Sequence, residues 1–444
     1  MKEKVGNIIN YCLIFLLSLL ILIGNIKNGI VLLLISIIVI YFFVKKVKIK
    51  NFMLFLIIFS IITKIVCILI LKTPVLADYW IMYEAAQNMI SNDYSFLNKP
   101  YFLTWGYQLF HVFYEAFVLG IFNDVIILKI LNCIYSTVIT IMIYLITKKI
   151  SSENAARISS LLYSITLYPL YLNSVLGNQQ LALMLMLIGV YVLLFKQNNI
   201  KNLIIVGILI ALSNLERSEA IVYIATILIY LFISNKKFKD IVKKSAIILL
   251  TYFIIVKGSS FILIKSGFND IGFENKNPYW KFITGFSYET NGKYNWNDEN
   301  LSNTSDLENS KKEAVNRIKN VKKWPKLFYE KTKITWLYEG LEECFNAKNI
   351  NISDELKQMI FSYIKLMNLM IILFVIIGLY KNKLDNESKF FMINVIIYFF
   401  IYLLIEVQIR YYFNPQVSLF ILSSIGIDKI LKQIDKKEKL HNSQ

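Results

Sequence analysis

Charge is scarce in this chain. Asp, Glu, Lys and Arg make up 18% of its 444 residues, against about 25% in an average soluble domain. A soluble protein of this length would need that missing surface to cover two or three domains. An ordinary soluble enzyme and a disordered chain are both excluded. Histidine is scarcer still: His111 and His441 are the only two. Placed so far apart, they argue against a histidine zinc site or a Ser-His-Asp triad. Of the four cysteines, Cys12, Cys67 and Cys133 lie in apolar blocks and Cys344 stands alone in a polar stretch, so no disulfide framework or cysteine metal site is expected. The chain has no P-loop, no GxGxxG and no Asp-x-Asp pair spaced for a nucleotide-bound metal.

Apolar residues, by contrast, make up 56% of the chain and come in long blocks. A helix needs about 20 of them to cross about 30 Å of hydrocarbon. Twelve blocks qualify as candidate spans: 8–24, 29–44, 51–71, 125–147, 155–173, 179–195, 201–215, 219–234, 243–264, 360–380, 388–405 and 413–430. They lack the two-residue alternation of a membrane barrel, so helices are predicted. No small-residue cleavage site follows the first block, which reads as a retained span and not a signal peptide.

The net charge is +18. Its distribution excludes nucleic acid as the partner. Residues 45–50 hold four Lys, residues 235–244 five Lys and one Asp, and residues 429–439 five Lys. The long polar segment 265–358 is nearly neutral, with 15 Lys and Arg against 14 Asp and Glu. Basic charge in short loops between apolar blocks is the positive-inside pattern. A thirteenth block, 101–121, contains Gln108, His111 and Glu115. If it spans, Lys148, Lys149 and the 235–244 cluster fall outside. If it lies in the interface as an amphipathic helix, all seven basic loops and ends fall on the cytoplasmic side. The second arrangement is predicted, with both termini cytoplasmic. Segments 72–124, 174–178, 214–218, 265–358 and 406–412 then lie outside. The chain divides into an N-terminal transmembrane module (1–264, with the first outer loop 72–124), an extracytoplasmic segment (265–358), C-terminal transmembrane helices (359–434) and a cytoplasmic tail (435–444).

The unusual polar residues concentrate in those outer segments. In LADYW, Asp78 and Tyr79 come just after the third span. A carboxylate desolvated at that depth should have a raised pKa, which suits a general base; an N-cap for the next helix is the alternative. In SNLERSEA, Glu216, Arg217 and Glu219 interrupt two apolar runs. They read as ligand contacts or as a solvated Glu–Arg hairpin. In IEVQIRYY, Glu406, Gln408, Arg410 and Tyr411 sit at the outer end of a span. On a helix Glu406 and Arg410 would share a face as an ion pair, and Arg410 suits bidentate phosphate contact, with interface anchoring as the alternative.

In their order and shared outer placement these motifs resemble the GT-C glycosyltransferase superfamily. The nearer likeness is to the dolichyl-phosphate-mannose protein mannosyltransferases and the bacterial lipid A aminoarabinose transferase, over residues 51–430. Asp78 matches the family's acidic residue in the first outer loop. NKPY, with Lys99 and Pro100, matches a Lys-Pro-Pro-like motif except for Tyr101. Arg217 matches an arginine after an apolar span, although Ser218 follows it and not proline. EVQIRYY matches a Glu-x-Gln-x-Arg-Tyr pattern. The segment NPYWKFITGFSYETNGKYNWND is similar to an outer loop of Gram-positive relatives.

The resemblance implies an all-α, GT-C-like bundle of about twelve transmembrane helices with an interfacial helical outer loop. It also implies a polyprenyl-phosphate sugar donor and an extracytoplasmic glycan, lipid or protein acceptor. Physical logic assigns roles within it. Transfer to a hydroxyl needs a base on one face of the anomeric carbon and a cation to stabilise the departing phosphate on the other. Asp78 would deprotonate the acceptor, with Arg410, Arg217 and Lys99 holding the phosphate. Glu406, Gln408, Tyr411 and Tyr79 would orient substrate. Trp280, Tyr294 and Trp296 would stack on sugar rings. Protein cations could replace a metal, and no cofactor is expected. A lipid-linked glycan flippase or a polysaccharide polymerase is the alternative reading. A flippase would more often show an internal repeat, and a polymerase's key arginines would lie in the long outer segment, where Arg317 is the only one.

Overall fold

The computed structural model describes residues 2–23, 30–41, 44, 50–234, 237–302, 307–337, 353–380 and 385–441. Cys344, the basic run 45–49 and the end of the tail lie outside them. The described residues are helical, with a single isolated bridge between Trp105 and Asn275. The N-terminal half contains α1 (Lys2–Ile23), α2 (Ile30–Tyr41), α3 (Phe52–Leu71), α4 (Asp78–Ile90), α5 (Pro100–Thr104), α6 (Leu109–Ile121), α7 (Val125–Ile150), α8 (Glu153–Ile165), α9 (Leu167–Tyr171), α10 (Gln179–Phe195), α11 (Ile200–Glu216), α12 (Ala220–Ser234) and α13 (Phe238–Lys265). Four short helices follow: α14 (Trp280–Gly285), α15 (Trp296–Ser302), α16 (Leu307–Ile318) and α17 (Trp324–Trp336). The last three are α18 (Asp354–Leu379), α19 (Asn386–Leu404) and α20 (Phe413–His441).

Eleven of the twelve apolar blocks fall on one helix each. The block at 155–173 falls on two, α8 and α9. Pro169 explains the break: its ring has no N–H to donate to Ile165 and clashes with that carbonyl. Ile165 is where α8 ends, and Thr166 is extended. Among the described residues, five helices are long and apolar enough to cross a membrane: α3, α7, α13, α18 and α19. Block 101–121 forms three pieces: α5, a 3₁₀ turn at Gly106–Gln108, and α6. At 13 residues α6 is about 20 Å long, too short to cross hydrocarbon.

The helices pack in pairs, some consecutive and some one helix apart. α10 lies on α11, α11 on α13, α7 on α8 and α18 on α20. Small residues allow the last pair to approach closely: a Cβ on Gly378 would come within 2.6 Å of the Gly426 nitrogen. Two helices, or two and the short α9, separate each of the segments 72–124, 174–178, 214–218, 265–358 and 406–412 from the next. An even number of helices returns the chain to the same end each time, and this is what brings the site together.

The short helices pack over that end. α17 lies against residues 409–412 and α19, and α14 against α15, α16 and α19. Gly285, at the end of α14, meets the end of α19 so closely that a Cβ would sit 2.6 Å from the Leu404 carbonyl oxygen. Lys331 of α17, buried, donates to the carbonyls of Gly285 (2.9 Å), Leu403 (2.7 Å) and Ile405 (2.7 Å). It thereby satisfies acceptors that a helix end leaves open. These contacts fix the residue that follows, Glu406.

Candidate active site

Each of the five segments contributes a side chain to one polar cluster. Asp78 opens α4 without capping it. The cap position falls on Ala77, at φ 53° and ψ −135°, and Asp78 makes no cap bond. A left-handed alanine is strained, and such residues gather at functional sites. From here the Asp78 carboxylate faces the Arg410 guanidinium at 3.7 Å. The same guanidinium donates to the Tyr79 hydroxyl at 2.7 Å and lies over its ring. Gln179, the first residue of α10, donates to that hydroxyl at 2.9 Å. A Cβ on Gly177 would strike the Gln179 side chain, so glycine is what lets it reach Tyr79.

One expectation is corrected here. The Asp78 carboxylate is 44% exposed, and the desolvation argued from its depth is absent because α4 starts at the open end of the bundle. It faces solvent on one side and a cation on the other.

Arg217 supplies a second cation at the end of α11. It pairs with Glu219 and donates to Asn178 at 3.0 Å. Asn178 in turn donates to the Glu216 carbonyl at 2.8 Å, and Asn414 of α20 donates to Glu219. Arg217 also lies 5.9 Å from the Tyr411 ring centre. With side chains 13% and 17% exposed, Arg217 and Glu219 form a largely covered pair and not a solvated hairpin. Glu216 points the other way, to His111 at 2.5 Å, and His111 also faces Glu115 at 3.3 Å.

A third cation, Lys281 of α14, escapes sequence reasoning. Its ammonium pairs with Glu406 and donates to the Tyr411 hydroxyl at 2.8 Å. Tyr411 donates to Glu406 at 3.0 Å and Gln408 donates to it at 2.8 Å. The expected Glu406–Arg410 pair assumed a helix. The backbone is extended at Ile405 and Gln408, with a 3₁₀ turn from Ile409, and Glu406 turns to Lys281. Burial alone would raise the pKa of Glu406, but Lys281, Gln408 and Arg410 hold it below the usual carboxylate range. Burial likewise opposes the charge on Lys281, and Glu406 and Tyr411 override it, so its ammonium persists above the ordinary lysine pKa.

Tyr101 and Tyr107 complete the wall. Burial raises both, and Asp78 adds to the rise in each. Among the described residues the buried Tyr101 hydroxyl has no hydrogen-bond partner, a cost usually met by a ligand or water. Lys99 goes elsewhere. It pairs with Glu84 at 2.8 Å, with both side chains more than 40% exposed, because Glu84 lies on a different face of α4 from Asp78.

The structure therefore unites Asp78, Tyr79, Arg217, Glu406, Gln408, Arg410 and Tyr411 and leaves out Lys99. Sequence reasoning missed Lys281, Asn178, Gln179 and Asn414. A signal existed for Lys281, which lies in the outer-loop segment that resembles Gram-positive relatives. The neutral amides carried none.

Fold and site define a helical membrane bundle with three carboxylates, Asp78, Glu219 and Glu406, and three cations, Arg410, Arg217 and Lys281, at one end. Residues 109–260 match the model of the family described as dolichyl-phosphate-mannose-protein mannosyltransferase. No curated protein sequence matches the chain. Among solved structures it is similar to the Archaeoglobus fulgidus oligosaccharyltransferase in its apo form (14% identity, TM-score 0.52, 89% of this chain and 52% of that one). It is equally similar to the same enzyme tethered to an acceptor peptide (15%, 0.52, 91% and 52%). A third similar structure is the archaeal oligosaccharyltransferase AglB from Archaeoglobus fulgidus with an inhibitory peptide and a dolichol-phosphate (15%, 0.52, 89% and 52%). The chain spans about half the length of these enzymes. What it shares with them is the fold.

Proposed function

We propose that the chain is a membrane glycosyltransferase that moves a sugar from a polyprenyl-phosphate donor to a hydroxyl of an extracytoplasmic acceptor, with inversion at the anomeric carbon. In this reading about twelve helices span the membrane, both termini are cytoplasmic and the cluster faces outward. The observation that carries it is the meeting of Asp78 with Arg410 at 3.7 Å, beside Arg217 and Lys281. The family-model match over 109–260 and the fold shared with an oligosaccharyltransferase support the same reading.

The chemistry follows from the charges. A carboxylate and a cation at that distance leave no room for a sugar, so the donor phosphate must first take Arg410 from Asp78. Arg217 and Lys281, both near the Tyr411 ring and paired with Glu219 and Glu406, line the phosphate site as second contacts. Asp78, released and half-exposed, accepts the proton of the incoming hydroxyl. The acceptor oxygen bonds to the anomeric carbon as the carbon–oxygen bond to phosphate breaks, and the polyprenyl phosphate leaves with the electron pair, held by the arginines. Glu406 orients Lys281, and Tyr79 and Gln179 orient Arg410. Lys99 plays no part in this scheme.

Replacing Arg410 with Ala tests the phosphate role. Affinity for a polyprenyl phosphate should fall about tenfold or more, as for a lost charge-assisted contact. Unchanged affinity refutes it.

A further inference from the structure

A line of aromatic rings leads out of the site. Tyr107 feels the charges of Lys281, Asp78, Arg217 and Glu406. Trp105 is next to it, 6.4 Å between ring centres, followed by Trp280 at 6.0 Å, Tyr294 at 5.9 Å and Trp296 at 5.8 Å. The inner rings are covered, with Trp280 only 7% exposed, whereas Tyr294 is 42% exposed and Trp296 72%. Tyr294 is still close enough to the centre to feel Asp78 and Glu406. Its hydroxyl donates to Glu299, so a carboxylate sits at the ring's edge.

We infer that Tyr294 and Trp296 form the acceptor platform of this site and that the acceptor is a saccharide chain; the inference rests on the glycosyl-transfer reading. A pyranose presents C–H groups on its faces and hydroxyls around its rim. Aromatic faces with hydrogen-bonding groups at their edges match both. Steps of about 6 Å are close to the repeat of an extended saccharide. Only the two outer rings are open to a ligand, and a chain stacked on them is held near Asp78, whose charge Tyr294 senses. Neighbouring rings are tilted by 56–73°, which suits a chain of separately rotating rings.

The test is calorimetric binding to the purified full chain, without donor. The probes are linear hexasaccharides of glucose, mannose, galactose and N-acetylglucosamine, with a Ser/Thr-rich peptide for comparison. At least one hexasaccharide should bind. Trp296→Ala should raise its Kd about tenfold and Tyr294→Ala by a similar factor, the worth of one lost stacking ring. Trp296→Phe should recover most of the affinity, which a general folding defect would not allow. Peptide binding with no hexasaccharide binding overturns the inference, as does hexasaccharide affinity unchanged in both alanine variants. Polyprenyl-phosphate affinity measured on the same protein separates the two readings. Lipid binding without glycan binding defeats the platform alone. Glycan binding that depends on Trp296, without lipid binding, upholds the platform and removes the donor reading.

Discussion

Replacing Glu406 with Gln should disable the site by freeing one lysine. Glu406 is fully buried, whereas Lys281 keeps a third of its side chain exposed. Opposite charges about 4 Å apart near a protein surface attract by about 4 kcal/mol. Desolvation of the carboxylate takes back part of this, leaving about 2 kcal/mol of net coupling. Glu406→Gln and Lys281→Met should each destabilise the protein by about 2–3 kcal/mol, and the double variant by clearly less than the sum. The assay is a double-mutant cycle on chemical unfolding in detergent. The pH profile gives an independent check. The pKa of Glu406 is lowered from 4.5 in the fold. Its contribution is therefore present above about pH 4.5 and is lost as pH falls through the lower folded value. Glu406→Gln should flatten that acid limb. Additivity within about 0.5 kcal/mol, or an unchanged acid limb, would refute the pairing.

Other consequences can be checked separately. Gly285→Ala places a Cβ 2.6 Å from backbone atoms of Leu404 and Ile405; it should cost about 1–3 kcal/mol and weaken polyprenyl-phosphate binding, since Glu406 follows directly. Lys331→Met removes three hydrogen bonds to the carbonyls of Gly285, Leu403 and Ile405; it should lower stability by about 1–3 kcal/mol in chemical unfolding, and unchanged stability would refute the anchoring role. His111→Leu leaves Glu115 and Glu216 buried without their cation and should cost about 3–5 kcal/mol, of which Glu115→Gln should restore part; no restoration would deny the pairing.

The bundle was readable because a membrane helix announces itself by length and apolarity, and the positive-inside rule assigned all five site segments to one end before any contact was known. Asp78, Arg217, Glu406 and Arg410 stood out for a related reason, since charges beside apolar runs are rare. Lys281 did not stand out, being one of 15 basic residues in its segment; its importance comes from the packing of α14 on α19. Asn178 and Gln179 are neutral and gain meaning only from Arg217 and Tyr79. Lys99 misled because motif position does not say where a long side chain points, and Glu84 was the nearer anion. The exposure of Asp78 depended on the turn at Ala77, which no local pattern specifies.

Transfer of labelled sugar from a polyprenyl-phosphate donor by purified Asp78→Asn protein, with donor affinity measured in parallel, tests the central claim most directly. The account predicts that transfer falls by at least about 10²-fold while polyprenyl-phosphate binding is kept or tightened, because Arg410 no longer has a competing carboxylate. Transfer at the wild-type rate would contradict it.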